Sequence, residues 1–431
     1  MQPRVVDAFD AVVEHVNDRV GEVENRDPID PEEYWLNVLP RGEGCVKPVG
    51  DETHLYSEDK NTIWHEYQGF GRSFGLDAST TRDISFENGL ILDVANAVIG
   101  EKNTERRVRN HRTIVAGVWF DDGEEKFDRA TIQNESWDTD YGIVDTYAEA
   151  AFLPSTRGYL QAPNKWVSAG AQALAEGRHL KTYVDELDGP VFLDGALYPM
   201  SILSRLVFVT VEGTVVSPEW RDATTAMVQQ YVDGIEKQMA SGHPVIAVTK
   251  SVNTNEVLKA IEANQEAGPE RDRIPWTDDY AYATSLLAQP RHDNQTYTYT
   301  SWVVQEKVSI KNERVELVDG FEFSEFSAPE LRRAFFFARV PREGHIFRIE
   351  VPAVYVEYMD LEDRRVFQRA ILRELVETED TPRAVLDADH HAQITLDVRD
   401  RISENMREIQ TVSDYNRARW EHLAYQGGGD W

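Results

Sequence analysis

Apolar positions change their period along this chain, and each change marks an element. Val5, Phe9, Val12, Val13, Val16 and Val20 recur at helical spacing, so the N-terminus predicts an amphipathic helix with one packing stripe and no evident chemistry. Over residues 28–74, Gly, Pro and charged residues interrupt every apolar run, which predicts irregular structure or a small appended element. Alternation then takes over. Residues 73–80 (SFGLDAST), 86–94 (FENGLILDV) and 113–120 (TIVAGVWF) are short, apolar or alternating, and bounded by polar turns, as strands are.

An Ala- and Leu-rich helix is expected over residues 165–186, stopping at Asp188-Gly189-Pro190 and feeding an apolar strand at 191–193. Helix 218–241, strand 244–249 and helix 255–264 continue the alternation of an α/β sheet. Residues 297–358 turn β-rich, with TYTYTSWVV, RAFFFARV, HIFRIEV and AVYVEYM all strand-like. Two further helices are expected near 361–376 and 387–410, before a loose tail ending in QGGGDW.

The 431 residues are 41% hydrophobic, enough for a large core in two or three units. The formal charge of −31 is spread along the whole chain. Such diffuse acidity suits a surface kept hydrated where salt is molar and the Debye length falls to about 3 Å, and it reads as halophilic adaptation. On that reading global charge reports the solvent, and only local basic clusters report a polyanionic ligand. One cluster exists, Lys102, Arg106, Arg107, Arg109 and Arg112, although such a run is as a rule a solvated loop or strand edge. The single cysteine, Cys45, excludes an intramolecular disulfide and a cysteine-rich zinc site and fits a reducing interior. Without a signal-like N-terminus or an apolar run near ~18 residues, the expected location is cytoplasmic and soluble, away from any membrane.

Asp77 and Asp194 each end an apolar strand, in GLDAST and VFLDGAL. A carboxylate at the mouth of a buried strand is rigidly held yet open to solvent, which an oxygen-ligand site for Mg²⁺ or Mn²⁺ requires. Taken singly, each is a common turn former; as a pair in one sheet they could share an ion. Glu176 lies on the Ala-rich helix 18 positions before Asp194, where its plain reading is a solvated helix face. Asp278 and Asp279 look first like a helix N-terminus. Asp389, His390 and His391 gather metal-capable groups at what can equally be a polar helix start. There is no GxGxxG, P-loop or GxSxG, so dinucleotide enzymes, nucleotide-driven motors and ordinary serine hydrolases lack support. Carboxylate and metal chemistry remains.

In order, LDAST at Asp77, AEGRHL at Glu176, FLDGAL at Asp194, VIAVTKS at Lys250, the TDD cluster and TPRAVLDADHHAQI resemble the NurA nuclease family over residues 73–394. The resemblance implies a ribonuclease-H-like mixed-sheet core with flanking helices and an inserted β-rich region at about 295–358. It divides the chain into an N-terminal region 1–72, a nuclease domain 73–412 and a tail 413–431. It also implies manganese dependence, action at DNA ends, a homodimer and work with a HerA-like hexameric ATPase. Ala78 stands where the family has Gly, and Asp389 where it has His after Thr381-Pro382, with Thr381 in place of Tyr.

On that basis Asp77, Asp194, Glu176 and a C-terminal group, with His390 favoured over Asp389, would hold one or two Mn²⁺ or Mg²⁺ ions. Lys250 would neutralise a phosphate oxygen; the basic run, apart from the resemblance, gives Arg106, Arg107, Arg109 and Arg112 as candidate DNA contacts. Two other readings stand beside this one: an inactive DNA-end or partner-binding protein on the same fold, and a related enzyme acting on RNA or hybrids.

Overall fold

The computed structural model describes residues 10–16 and 30–409, apart from 43, 51–52, 87, 103–109, 121–126, 140–141, 155–162, 201, 204–217, 251–253, 266–273, 289–294, 307, 311–312, 316–320 and 342–343. Its strands are β1 Val46–Pro48, β2 Leu55–Asp59, β3 Phe74–Thr80, β4 Ile84–Ser85, β5 Ile91–Glu101, β6 Arg112–Trp119, β7 Asp128–Thr139, β8 Gly142–Phe152, β9 Val191–Asp194, β10 Val245–Thr249, β11 Thr296–Thr300, β12 Val303–Gln305, β13 Val308–Ile310, β14 Glu313–Val315, β15 Arg333–Arg339 and β16 Ile346–Pro352. The helices that matter below are α1 Pro163–Tyr183, α2 Pro218–Ala240, α3 Glu256–Asn264, α4 Asp279–Leu286, α5 Leu361–Thr378, α6 Arg383–Ala392 and α7 Leu396–Ile409.

One large mixed sheet runs β1-β12-β15-β16-β10-β9-β3-β5-β6-β8-β7, with β11 and β2 branching from β15 and β4 from β5. Around its centre β9 lies parallel to both β10 and β3, while β3 is antiparallel to β5 and β10 to β16. Helices flank it on both faces. On one face Trp166, Leu174 and Leu180 of α1 and Val228, Val232 and Ile235 of α2 bury against Phe74, Leu76, Leu193 and Ala247. On the other, Ile371, Leu372 and Leu375 of α5 and Val385 of α6 pack on Phe192, Ile246, Val248 and Ile349. The adjacent positions Phe192 and Leu193 belong to opposite cores, which is the alternation of a strand covered on both sides.

The α/β architecture agrees with the sequence reading, and its differences have local causes. The strand expected at 86–94 begins at Ile91, because Gly89 at φ +86° turns the chain between β4 and β5. AVYVEYM, expected as a strand, forms a short helix, Val354–Glu357. Its β-branched residues favour a strand, but the Ala353 N–H bonds the Arg332 carbonyl and the Glu357 N–H bonds Ala353, which turns the backbone off the sheet. The β7–β8 hairpin went unanticipated, since β7 reads DRATIQNESWDT and is too polar to announce a strand. The last expected helix is two, α6 and α7. Ser79 Oγ donates to the Ala392 carbonyl and accepts the Ile394 N–H, which ends α6 there.

Residues expected as an appended element supply β1 and β2, which pair with β12 and β11. In the N-terminal helix, residues 10–16 are helical and Val12, Val13 and Val16 stand exposed. The remainder of that stripe and the tail at 413–431 lie outside the described residues. Among the described residues no helix is long and apolar enough to cross a membrane.

Candidate metal centre

Strand register brings the first two predicted residues together. Leu193 of β9 stands opposite Leu76 of β3, and both face the α1 core. Alternation turns the next residues, Asp194 and Asp77, onto the opposite face, on strands about 4.8 Å apart. Asp194 also stands opposite Val248 of β10, and Lys250, two positions further, shares its face. β9 ends at Asp194 while β3 runs on to Thr80, so the two aspartates border a notch at the carboxyl ends of parallel strands, where ligands of open α/β sheets bind.

Helix α6 roofs this notch, seated on two glycines. Gly75 and Gly100 are cross-strand partners in β3 and β5, and a β-carbon on either would lie 2.3–2.4 Å from the backbone of Ala384 or Ala388. At the far end Ser79 Oγ and Asn96 Nδ2 both donate to the Ala392 carbonyl, at 3.0 and 2.9 Å. The buried face of α6 is therefore Ala384, Val385, Ala388 and Ala392. At about 100° per residue His390 falls opposite that stripe and Asp389 on its flank. His390 and Asp389 are both exposed, and the His390 ring lies 5.3 Å from that of His391. Asp389 is close enough to Asp77 and Asp194 to act on both carboxyls. His391 is drawn to the other flank, 3.6 Å from Asp387, whose carboxylate accepts the Glu101 N–H.

Glu176 approaches from the α1 side. It is buried, accepts a 2.9 Å hydrogen bond from Gln172 Nε2 and lies in the field of both aspartates. The solvated helix face expected from its charge is therefore not its setting. Burial, then Asp194 and Asp389, push the Asp77 carboxyl up to about 7, against the Ala78 N–H. Burial pushes Glu176 up to about 8, opposed by Gln172 and reinforced by Asp77 and Asp194. Asp194 reaches solvent, yet the walls of the notch still desolvate it enough to raise its carboxyl. Lys250 opposes that rise, and Asp389 and Asp380 add to it. In all three carboxyls burial is the first cause and the neighbouring acids add to it, so the site holds its acids against the loss of water and against one another.

Such a donor set fits a hard divalent cation, which binds carboxylate oxygen and would relieve the repulsion. Among the described residues no three His, Cys, Asp or Glu side chains already converge closely enough to chelate one.

Lys250 Nζ lies 3.1 Å from Asp380, a residue the sequence reading missed because it sits in the α5–α6 connection with no periodic signal. Tyr231 was missed too; it is buried on α2 within the field of Glu176 and Asp77. Arg106, Arg107 and Arg109 lie outside the described residues, and Lys102 is paired with Glu374 and Glu377. Arg112 is half-buried in β6 and donates to the His111 carbonyl, so it is not brought to the notch by that contact. Asp278 and Asp279 take the helix-terminus role. Asp278 accepts the Ala281 N–H at the start of α4, while Asp279 accepts the N–H groups of Glu256, Val257 and Leu258 at the start of α3.

Comparison with known families finds a match to the family model described as NurA domain over residues 171–394. No curated protein matches. Among solved structures, the NurA nuclease from Sulfolobus solfataricus is 10% identical at a TM-score of 0.45, covering 94% of this chain and 96% of that one. A NurA structure with manganese is 8% identical at 0.45, covering 94% and 98%, and one bound to dAMP and manganese is 11% identical at 0.39, covering 78% and 88%.

Proposed function

The chain belongs to the NurA family, and on that premise we propose that it is a manganese-dependent deoxyribonuclease acting at DNA ends. The observation that carries the reading is that Asp77 and Asp194 turn to one face of neighbouring strands, with Asp389 close enough to act on both, Glu176 in their field and Lys250 beside Asp194. Asp77, Asp194 and Asp389 would hold the cation, taking the place sequence reasoning gave to His390. When bound, Mn²⁺ or Mg²⁺ supplies a water of lowered pKa and neutralises charge on the phosphoryl oxygens.

The chain's own groups supply the rest. Glu176, buried and lifted to about 8, can hold a proton near neutral pH and pass it on, or orient the attacking water once a cation draws its charge out. Lys250, shared between Asp194 and Asp380, can exchange Asp380 for a substrate phosphate oxygen. The side of α1 and α2, lined by Tyr231 and closed to water, keeps Glu176 from titrating as a surface acid.

A homodimer working with a HerA-like ATPase is the assembly this reading implies, since the chain carries no nucleotide-binding motif of its own. The diffuse charge of −31 suits activity at molar salt, and the family reading adds a cytoplasmic setting and a role in the repair of broken DNA. The test is cleavage of end-labelled linear duplex by the purified protein in high salt, with Mn²⁺ or with a chelator. Cleavage that needs Mn²⁺ is expected. Mn²⁺ binding without cleavage would leave a DNA-end-binding protein, and preference for hybrid or RNA would move the substrate class.

A further inference from the structure

Behind the notch lies an ion cluster that the reaction itself does not use. Glu350 of β16 is 2% exposed, and Arg333 and Arg348 are 2% and 1% exposed. Arg333 Nη1 lies 3.3 Å and Arg348 Nε 2.9 Å from Glu350 Oε1. Gln305 Oε1 accepts from both arginines, and Arg348 also stacks 3.8 Å above the Phe335 ring. Arg348 also donates Nη1 to Thr254 Oγ1 at 3.1 Å and lies in the field of Asp279 and Glu256. Buried ions of this kind are costly to desolvate, and apolar residues of similar size commonly serve stability as well or better. Stability alone is therefore a poor account of the cluster.

Its other oxygen takes a backbone group as well as a longer, 3.5 Å contact from Arg333 Nη1. Glu350 Oε2 accepts the Leu197 N–H at 2.9 Å. Leu197 closes the turn Asp194-Gly195-Ala196-Leu197, in which Gly195 adopts φ +118° and donates its N–H to Val248 at 3.1 Å. The turn that aims Asp194 is thus held at two points, by β10 and by Glu350. We propose that Glu350, clamped by Arg333 and Arg348, is a positioning residue that fixes the Asp194 turn in its cation-binding geometry. This rests on the reading of Asp194 as a metal ligand. Ligands are oriented by the groups that hydrogen-bond behind them, and losing such a group typically costs about 10- to 100-fold in metal affinity.

Glu350→Gln and Glu350→Leu test this as a pair. Both remove the same charge from beside the arginines, but only Gln keeps an oxygen that can accept the Leu197 N–H. The readouts are Mn²⁺ affinity of the full chain by electron paramagnetic resonance and amide exchange at residues 195–198 in metal-free protein. Glu350→Leu is expected to bind Mn²⁺ about 10- to 100-fold more weakly, with faster exchange in the turn, and Glu350→Gln to recover both. Equal Mn²⁺ affinity and equal exchange in the two folded variants would overturn the proposal. If either fails to fold, the same pair is compared with Arg333 and Arg348 both changed to Met, which removes the uncompensated charge. Asp194→Ala separates the two levels. Unchanged Mn²⁺ affinity there refutes the ligand reading of Asp194, and turn exchange alone then decides whether Glu350 fixes the turn.

Discussion

Gly75 and Gly100 face each other across β3 and β5, and together they form the bare patch on which α6 rests with its backbone against the sheet. The closeness of that seat sets how far Asp389 stands from Asp77. Gly100→Ala should lower stability by about 1–3 kcal/mol, as overpacking does, and should also weaken Mn²⁺-dependent cleavage by lifting α6. Thermal melts with parallel cleavage assays check this; a destabilised variant with full activity at low temperature would show that the height of α6 does not matter to the site.

Asp77→Ala and Asp194→Ala should each reduce Mn²⁺-dependent cleavage to background while the protein stays folded. Neither carboxyl holds the core together, and both are raised first by desolvation and then by neighbouring acids, so their loss removes groups the fold disfavours as charges. Near wild-type turnover in either, beside an unchanged circular dichroism spectrum, would remove that aspartate from the site.

Asp389 and His390 give opposite expectations. Asp389→Ala should lose cleavage severely, and His390→Ala should retain it, because both side chains are exposed but the phase of α6 puts Asp389 on the flank that reaches Asp77 and Asp194 and His390 opposite the helix's seat. Turnover rates of the two variants at saturating Mn²⁺ decide between them, and the reverse pattern would return the role to the histidine.

Proton binding should make the metal-free protein lose stability as pH rises. Asp77 and Glu176 titrate at about 7 and about 8 when folded, against roughly 3.9 and 4.3 in unfolded chains. Between those limits the native state holds more protons, so their contribution is complete below about pH 4 and is lost as pH climbs through 7 and 8. Melts in chelator at constant salt should show this decline, and Asp77→Asn with Glu176→Gln should flatten it. The stabilisation by added Mn²⁺ should grow over the same window, since the cation competes with those protons.

Lys250→Met should weaken DNA binding in a salt-dependent way, lowering the slope of log affinity against log salt by about one unit. Fluorescence anisotropy across a salt series measures it. An unchanged slope would mean that Lys250 serves only Asp194 and Asp380.

The central sheet was legible in the sequence because β3, β6, β9 and β10 are apolar runs between polar turns. The polar β7 was not, since its partner strand and not its composition makes it a strand. Asp77 and Asp194 could be picked out because each follows an apolar run, although Asp77 lies inside β3 and is buried, not open at a strand end as expected, because β3 continues to Thr80. The proposed preference for Asp389 over His390 rests on which face of α6 meets the sheet. That face was written in Ala384, Ala388 and Ala392, but it has meaning only once the bare glycine patch opposite is known. Asp380 and Tyr231 carry no local pattern at all, and only the folding of α2 and α5 brings them near the notch.

The carboxylates of the notch are drawn from β3, α1, β9 and α6, so hundreds of residues separate Asp77 from Asp389 along the chain. No fragment holds the set. Every loop between them must close before the site exists, which places it among the late, long-range contacts of folding. A cation bound there would act as a tie between distant parts of the polypeptide, resisting local unfolding of α6 from the sheet. Loss of the C-terminal third to a protease would therefore silence the protein even where the rest of the sheet stayed intact.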